Sequence, residues 1–116
     1  MAEVNGKKIT MTRGDTAEFD IQIVKKVDKK LYKYEPQDGD TLRFAVKRSY
    51  ADKTPVILKD IPIDSMVLTI EPEDTKKLGF GNTNGRYVYD IELISANGKV
   101  ETVVPRGELL ILEEVY

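Results

Sequence analysis

The sequence predicts an all-β fold: an immunoglobulin-like antiparallel β-sandwich of about seven or eight strands with one short connecting helix. Three observations carry this. Val and Ile together number 21 against nine Leu and five Ala, a bias toward side chains that suit a pleated, half-buried surface. Apolar residues alternate with polar ones in several runs, the period of a strand with one wet face. Turn signals separate these runs at intervals of roughly 8 to 12 residues, as in sandwiches and barrels.

Along the chain, Arg13-Gly14-Asp15 separates Ile9 and Met11 from the first alternating run, Ala17-Glu18-Phe19-Asp20-Ile21-Gln22-Ile23, whose Glu18, Asp20 and Gln22 point away from the apolar side. Gln37-Asp38-Gly39-Asp40 precedes the second run, where Leu42, Phe44 and Val46 alternate with Arg43, Ala45 and Lys47. Met66, Leu68 and Ile70 form a third, and Tyr87, Tyr89, Ile91 and Leu93 a fourth. These four runs are expected to line the core, with Phe19, Ile21, Leu42, Phe44, Leu68, Tyr89 and Ile91 at its centre. Only Pro72 to Gly79 reads as helical. It has proline where a missing N–H costs nothing, acids in the first turn, lysines in the last and a terminal glycine. Asn97-Gly98 marks a tight hairpin between the Tyr89 run and Val100 to Val104. Pro105 cannot donate to a ladder, so the last strand is expected to bend there or lie at an edge before resuming as Leu109 to Leu112.

The 116 residues are 41% hydrophobic and 33% charged, the balance of one domain spanning 1–116 with a core of its own. Cysteine, histidine and tryptophan are absent. That excludes Cys/His zinc sites, thiol and Ser-His-Asp catalysis, thiolate-held clusters and His- or Cys-ligated haem, and leaves carboxylate, hydroxyl and lysine chemistry. The formal charge is −2, with 18 basic and 20 acidic side chains, which does not favour a dedicated nucleic-acid binder. Basic groups concentrate in residues 1–50 and acidic groups in 51–116, an asymmetry that suits head-to-tail association. No apolar run approaches the roughly 20 residues of a membrane span, and the first residues have no secretory pattern, so synthesis in a cytoplasm is expected.

Several strings invite functional readings. Arg13-Gly14-Asp15 spells an integrin-recognition tripeptide where an exposed hairpin tip is expected, although a Gly-Asp turn beside an arginine needs no such role. The 79–85 segment is glycine-rich but follows a helix and precedes a strand, the reverse of a nucleotide-binding loop, and reads as a flexible loop feeding the Tyr87 strand. Asp38/Asp40, Asp60/Asp64 and Glu71/Glu73/Asp74 are acidic clusters without a calcium-loop spacing, and read as solvated turn carboxylates. Lys25, Lys26, Lys29, Lys30 and Lys33 crowd around Tyr32 and Tyr34. That basic stretch interleaved with aromatics is the one candidate interaction site. Its plain reading is a solvated hairpin guarded by lysines, and its functional reading a surface for an acidic partner or a phosphate backbone. The intervening Asp28 and the acidic whole count against nucleic acid.

The ordered series of motifs resembles a family of small β-sandwich modules in tailed bacteriophages and prophages, best known as the N-terminal domain of baseplate upper proteins. The series runs Thr12 to Thr16, Asp40 to Lys47, Leu68 to Thr75 with Leu78, Gly85 to Leu93, Asn97 to Val100 and Gly107 to Ile111. The resemblance implies a non-enzymatic structural or assembly subunit without a cofactor or metal. Its partners would be other tail or baseplate proteins or further copies of itself, with no nucleic acid and no membrane span. Synthesis would take place in the bacterial cytoplasm, followed by incorporation into a virion. Baseplate proteins of this type continue into a helical or fibre region, so the chain is expected to be a stand-alone subunit or one domain of a longer protein. The alternative is a free-standing binding module for carbohydrate or a host surface, with Tyr32, Tyr34 and Tyr50 as aromatic contacts. An enzyme built on paired carboxylates is a third class.

Overall fold

The computed structural model describes residues 3–5, 8–78 and 85–113, the side chains of 3–5, 25–27 and 104–106 excepted. Ten strands and one short helix follow in order: β1 (Glu3–Asn5), β2 (Lys8–Thr12), β3 (Ala17–Asp20), β4 (Ile23–Val27), β5 (Lys30–Tyr34), β6 (Thr41–Lys47), β7 (Ile57–Ile61), β8 (Val67–Ile70), α1 (Pro72–Lys76), β9 (Arg86–Ile94) and β10 (Val100–Leu112). The all-β class with one short connecting helix is therefore observed among the described residues. Six strands form a sheet in the order β1-β2-β10-β9-β6-β7, while β3 pairs with β8 and β4 with β5 in separate two-stranded ladders.

The sheet is mixed rather than antiparallel, because β2 runs parallel to β10, with Ile9 opposite Leu109 and Met11 opposite Ile111. No hairpin can join strands from opposite ends of the chain, so no turn signal announces this pairing. One face of the large sheet is apolar. The register aligns Leu42 with Leu93, Phe44 with Ile91 and Val46 with Tyr89, and all six are buried. Ala17, Leu68 and Ile70 from the β3–β8 ladder join the same core, so that ladder covers part of the apolar face. Phe44 has no exposure and its ring lies 5.4 Å from that of Tyr89 at a tilt of 49°.

Leu42, Phe44, Leu68, Tyr89 and Ile91 are buried as expected, whereas Phe19 and Ile21 are only half-buried at the rim of the core. The strand they were expected to share ends at Asp20, and the backbone N–H of Ile21 bonds to the carbonyl of Met66 beyond the ladder. Ile23, two residues on, is buried and roots β4. Met66 also departs from the alternation. It has a left-handed φ of 56° and donates its N–H to Pro62 four residues back, closing a turn before β8 begins.

Pro105 lies within β10 in the second of two register shifts against β9, the one between Val104 and Gly107, so the ladder is irregular where the proline was expected to disturb it. The Asn97-Gly98 turn is a three-residue loop: Gly98 alone has positive φ, its N–H bonds to Ser95, and Ser95 in turn bonds to Lys99. Residues 79–84 of the glycine-rich segment lie outside the described residues.

Candidate functional site

The basic stretch folds as one β-ribbon. Asp28 and Lys29 take φ of 50° and 66°, the left-handed pair that closes a two-residue hairpin whose twist matches its strands. The register is Ile23 with Tyr34, Val24 with Lys33, Lys25 with Tyr32, Lys26 with Leu31 and Val27 with Lys30. Beyond the Ile23–Tyr34 pair, every step of this register sets a lysine opposite an apolar or aromatic residue. The seven site residues therefore belong to a single element. Lys29, Lys30, Tyr32 and Lys33 are exposed and Tyr34 is half-buried, while Lys25 and Lys26 are placed by backbone register only.

Among the described residues neither strand pairs with another sheet, and every residue from Asp28 to Lys33 is exposed, so the ribbon projects from the body. Its root is fixed at two points. Ile23 is buried in the core, and the Tyr34 hydroxyl donates to Asp40 Oδ2 at 2.8 Å. The accepting carboxylate raises the Tyr34 pKa above the usual phenol value, with burial adding to the effect. Outward, Val24 is 54% exposed, Leu31 71% and Tyr32 52%. Three large apolar side chains thus stand in solvent on a projecting element that also carries exposed Lys29, Lys30 and Lys33. Tyr32 and the lysines are the residues that the sequence singles out as a candidate surface. Val24 and Leu31 are not among them, because isolated aliphatic residues in a strand read as core until the pairing of β4 with β5 alone leaves them uncovered.

The other candidate groups are used by the fold. Arg13 is buried instead of standing at an exposed tip. Its guanidinium donates to the Leu78 carbonyl through Nη1 and to Glu113 Oε1 at 2.9 Å through Nη2. The Gly14 N–H donates to the hydroxyl of buried Thr75 at 2.8 Å, which docks this turn against α1. Of the acidic clusters, Asp40 accepts from Tyr34 and from the Gln37 N–H at 2.9 Å. Asp74 accepts from Lys59 at 2.5 Å and from the Glu71 N–H at 2.8 Å. Among the described residues no three acidic side chains group as metal ligands would, and no helix is long and apolar enough to cross a membrane.

A cleft of about 490 Å³ opens beside the ribbon root, lined by Asp20, Asp64, Tyr34, Ile63 and Met66 among others. A second, of about 450 Å³, adjoins it at Ser65 and is bordered by Glu18, Asp60 and Glu71. The alternating run had already assigned Glu18 and Asp20 to a wet face; their meeting with residues 60–71 depends on the β3–β8 pairing. Compared with known proteins, the chain matches no protein-family model and no curated protein.

Proposed function

We propose that the chain is a non-enzymatic assembly module that joins protein subunits through the β4–β5 ribbon, within the tail or baseplate of a phage or prophage-encoded particle. The observation that carries the docking role is the projecting ribbon, with Val24, Leu31 and Tyr32 in solvent among lysines. Lysine heads steer an acidic partner at long range, and the three apolar side chains supply contact area once it arrives. The phage setting rests on the ordered motif series, and the layering of the β3–β8 ladder on the larger sheet supports reading the fold as an immunoglobulin-like sandwich. In this setting the protein is made in the bacterial cytoplasm and becomes part of the virion on assembly.

A second reading is a free-standing module for carbohydrate or a host surface. Its support is the exposure of Tyr32 and Tyr50, at 52% and 59%. Co-expression with the neighbouring genes, followed by size-exclusion chromatography with light scattering, separates the two. The assembly reading expects a complex that Leu31→Glu abolishes. Monomer with every neighbour, together with glycan binding lost on Tyr32→Ala or Tyr50→Ala, overturns it.

A further inference from the structure

We infer that the partner of the ribbon is a second copy of this chain, whose acidic groove at the ribbon root receives it, so that copies associate head to tail. This rests on the assembly reading and names the partner. The groove consists of the two clefts that meet at Ser65. Of the two lysines that line it, Lys59 is held by Asp74 at 2.5 Å, and Lys33, at the root of the ribbon, lies 3.9 Å from Glu35. Asp60 is matched by Arg43 at 3.3 Å, whereas Glu18, Asp20 and Asp64 have no side-chain hydrogen bond or ion pair among the described residues.

The half-buried Ile21, Ile63 and Met66 pack on the core and line the first cleft together with Asp20 and Asp64. Carboxylates beside apolar side chains complement a ribbon of five lysines and one aspartate with Val24, Leu31 and Tyr32 exposed. The groove is also flanked by backbone without ladder partners. Among the described residues β7 pairs only with β6, and β8 only with β3, so strand edges are open to an incoming strand.

The ribbon cannot serve its own groove. Lys33 and Tyr34 at its root line the cleft, while the Asp28-Lys29 tip lies five residue pairs away, about 17 Å along a stiff antiparallel ladder. A two-residue hairpin of that length does not fold back on its root. Ribbon-to-ribbon pairing would set five lysines against five, which like-charge repulsion disfavours. What remains is a heterologous contact, ribbon into the groove of the next copy, which propagates into a ring or an open row.

The test uses two doubly substituted proteins, Lys30→Ser/Leu31→Ser in the ribbon and Asp20→Lys/Asp64→Lys in the groove. All four positions are exposed, and unchanged melting temperatures confirm that both proteins fold. Sedimentation velocity up to millimolar concentration should show the unmodified protein growing in mass with concentration, with association weakened about tenfold or more at high salt. Each variant alone should stay monomeric. Their mixture should stop at a one-to-one heterodimer, because only one intact ribbon and one intact groove remain to meet. A monomeric unmodified protein, a mixture that stays monomeric, or variants that still self-associate would each overturn the inference. The assembly reading is scored separately, by whether a neighbouring tail protein is captured and then lost with the ribbon variant.

Discussion

Gly107 gives the sharpest test of the core packing. It faces Tyr89 in the β9–β10 register, and a Cβ placed on it would sit 2.3 Å from both Cε2 and Cζ of the tyrosine ring. Ordinary contact begins more than 1 Å further out. The ring has no room to withdraw, since Tyr89 is buried and leans on fully buried Phe44. Overpacking of this kind costs about 1–3 kcal/mol. Had the site been open, Gly107→Ala would instead stabilise the protein by about 0.4–1 kcal/mol, through reduced freedom of the unfolded chain. The two cases therefore differ in sign.

For a domain of this length each kcal/mol moves the melting temperature by roughly 3–6 °C, so Gly107→Ala should lower it by about 5–15 °C in a circular-dichroism melt. A double-mutant cycle with Tyr89→Leu isolates the clash. In that background the alanine should cost less than about 0.5 kcal/mol, a coupling of about 1 kcal/mol or more. An unchanged or raised melting temperature for the single variant, or strict additivity in the cycle, would refute the placement of the ring over Gly107.

Phe44→Ala should cost about 3–5 kcal/mol in urea denaturation, because the side chain is fully buried on a strand flanked by two others; a loss below about 1 kcal/mol would place that face in solvent. Thr75→Val keeps the volume but leaves the Gly14 N–H without its acceptor, so it should cost about 1–3 kcal/mol and Thr75→Ser should recover most of it. Tyr34, whose folded-state pKa is raised chiefly by its bond to Asp40, contributes stability that is complete below the phenol value of the unfolded chain and lost as pH rises through the folded-state value. That window lies above about pH 10. Asp40→Ala should therefore shift the Tyr34 tyrosinate absorbance, taken as the difference from a Tyr34→Phe blank, toward lower pH, and no shift would refute the hydrogen bond.

The parts of the fold that were legible in the sequence are those fixed by strictly local alternation. Leu42, Phe44 and Val46, and likewise Tyr87, Tyr89, Ile91 and Leu93, alternate because one face of a central strand is buried along its whole length. β7 escaped notice because Lys59 occupies an inward position between Ile57 and Ile61, and its partner Asp74 is fifteen residues away. Arg13 escaped for the same reason: a charged residue beside glycine reads as a turn tip until Leu78 and Glu113 arrive to hold it. Asp28-Lys29 lacks the glycine that usually marks a two-residue hairpin, yet the lysine and tyrosine spacing around it still located the ribbon. Long-range pairing decided both omissions, and no local pattern encodes it.

The energetics of the ribbon set the affinity expected of it. Full burial of an exposed apolar side chain is worth about 1.5–3 kcal/mol, and Val24, Leu31 and Tyr32 still expose between 52% and 71% of their surface. Their combined apolar contribution is about 3–5 kcal/mol, comparable to the low end of the cost of bringing two molecules together. A single contact should therefore be weak, and an isolated subunit largely monomeric at the low concentrations of routine chromatography. Repetition changes this, because linked copies engage further contacts at high effective concentration and gain about 100-fold or more in avidity. Fusing the chain to a trimeric coiled coil should accordingly convert weak capture by an immobilised partner into slow-dissociating binding in surface plasmon resonance. Leu31→Glu in the same trimer should remove it. Equal dissociation rates for monomer and trimer would show that the ribbon is not a repeating contact, and would leave its exposed apolar side chains without a role.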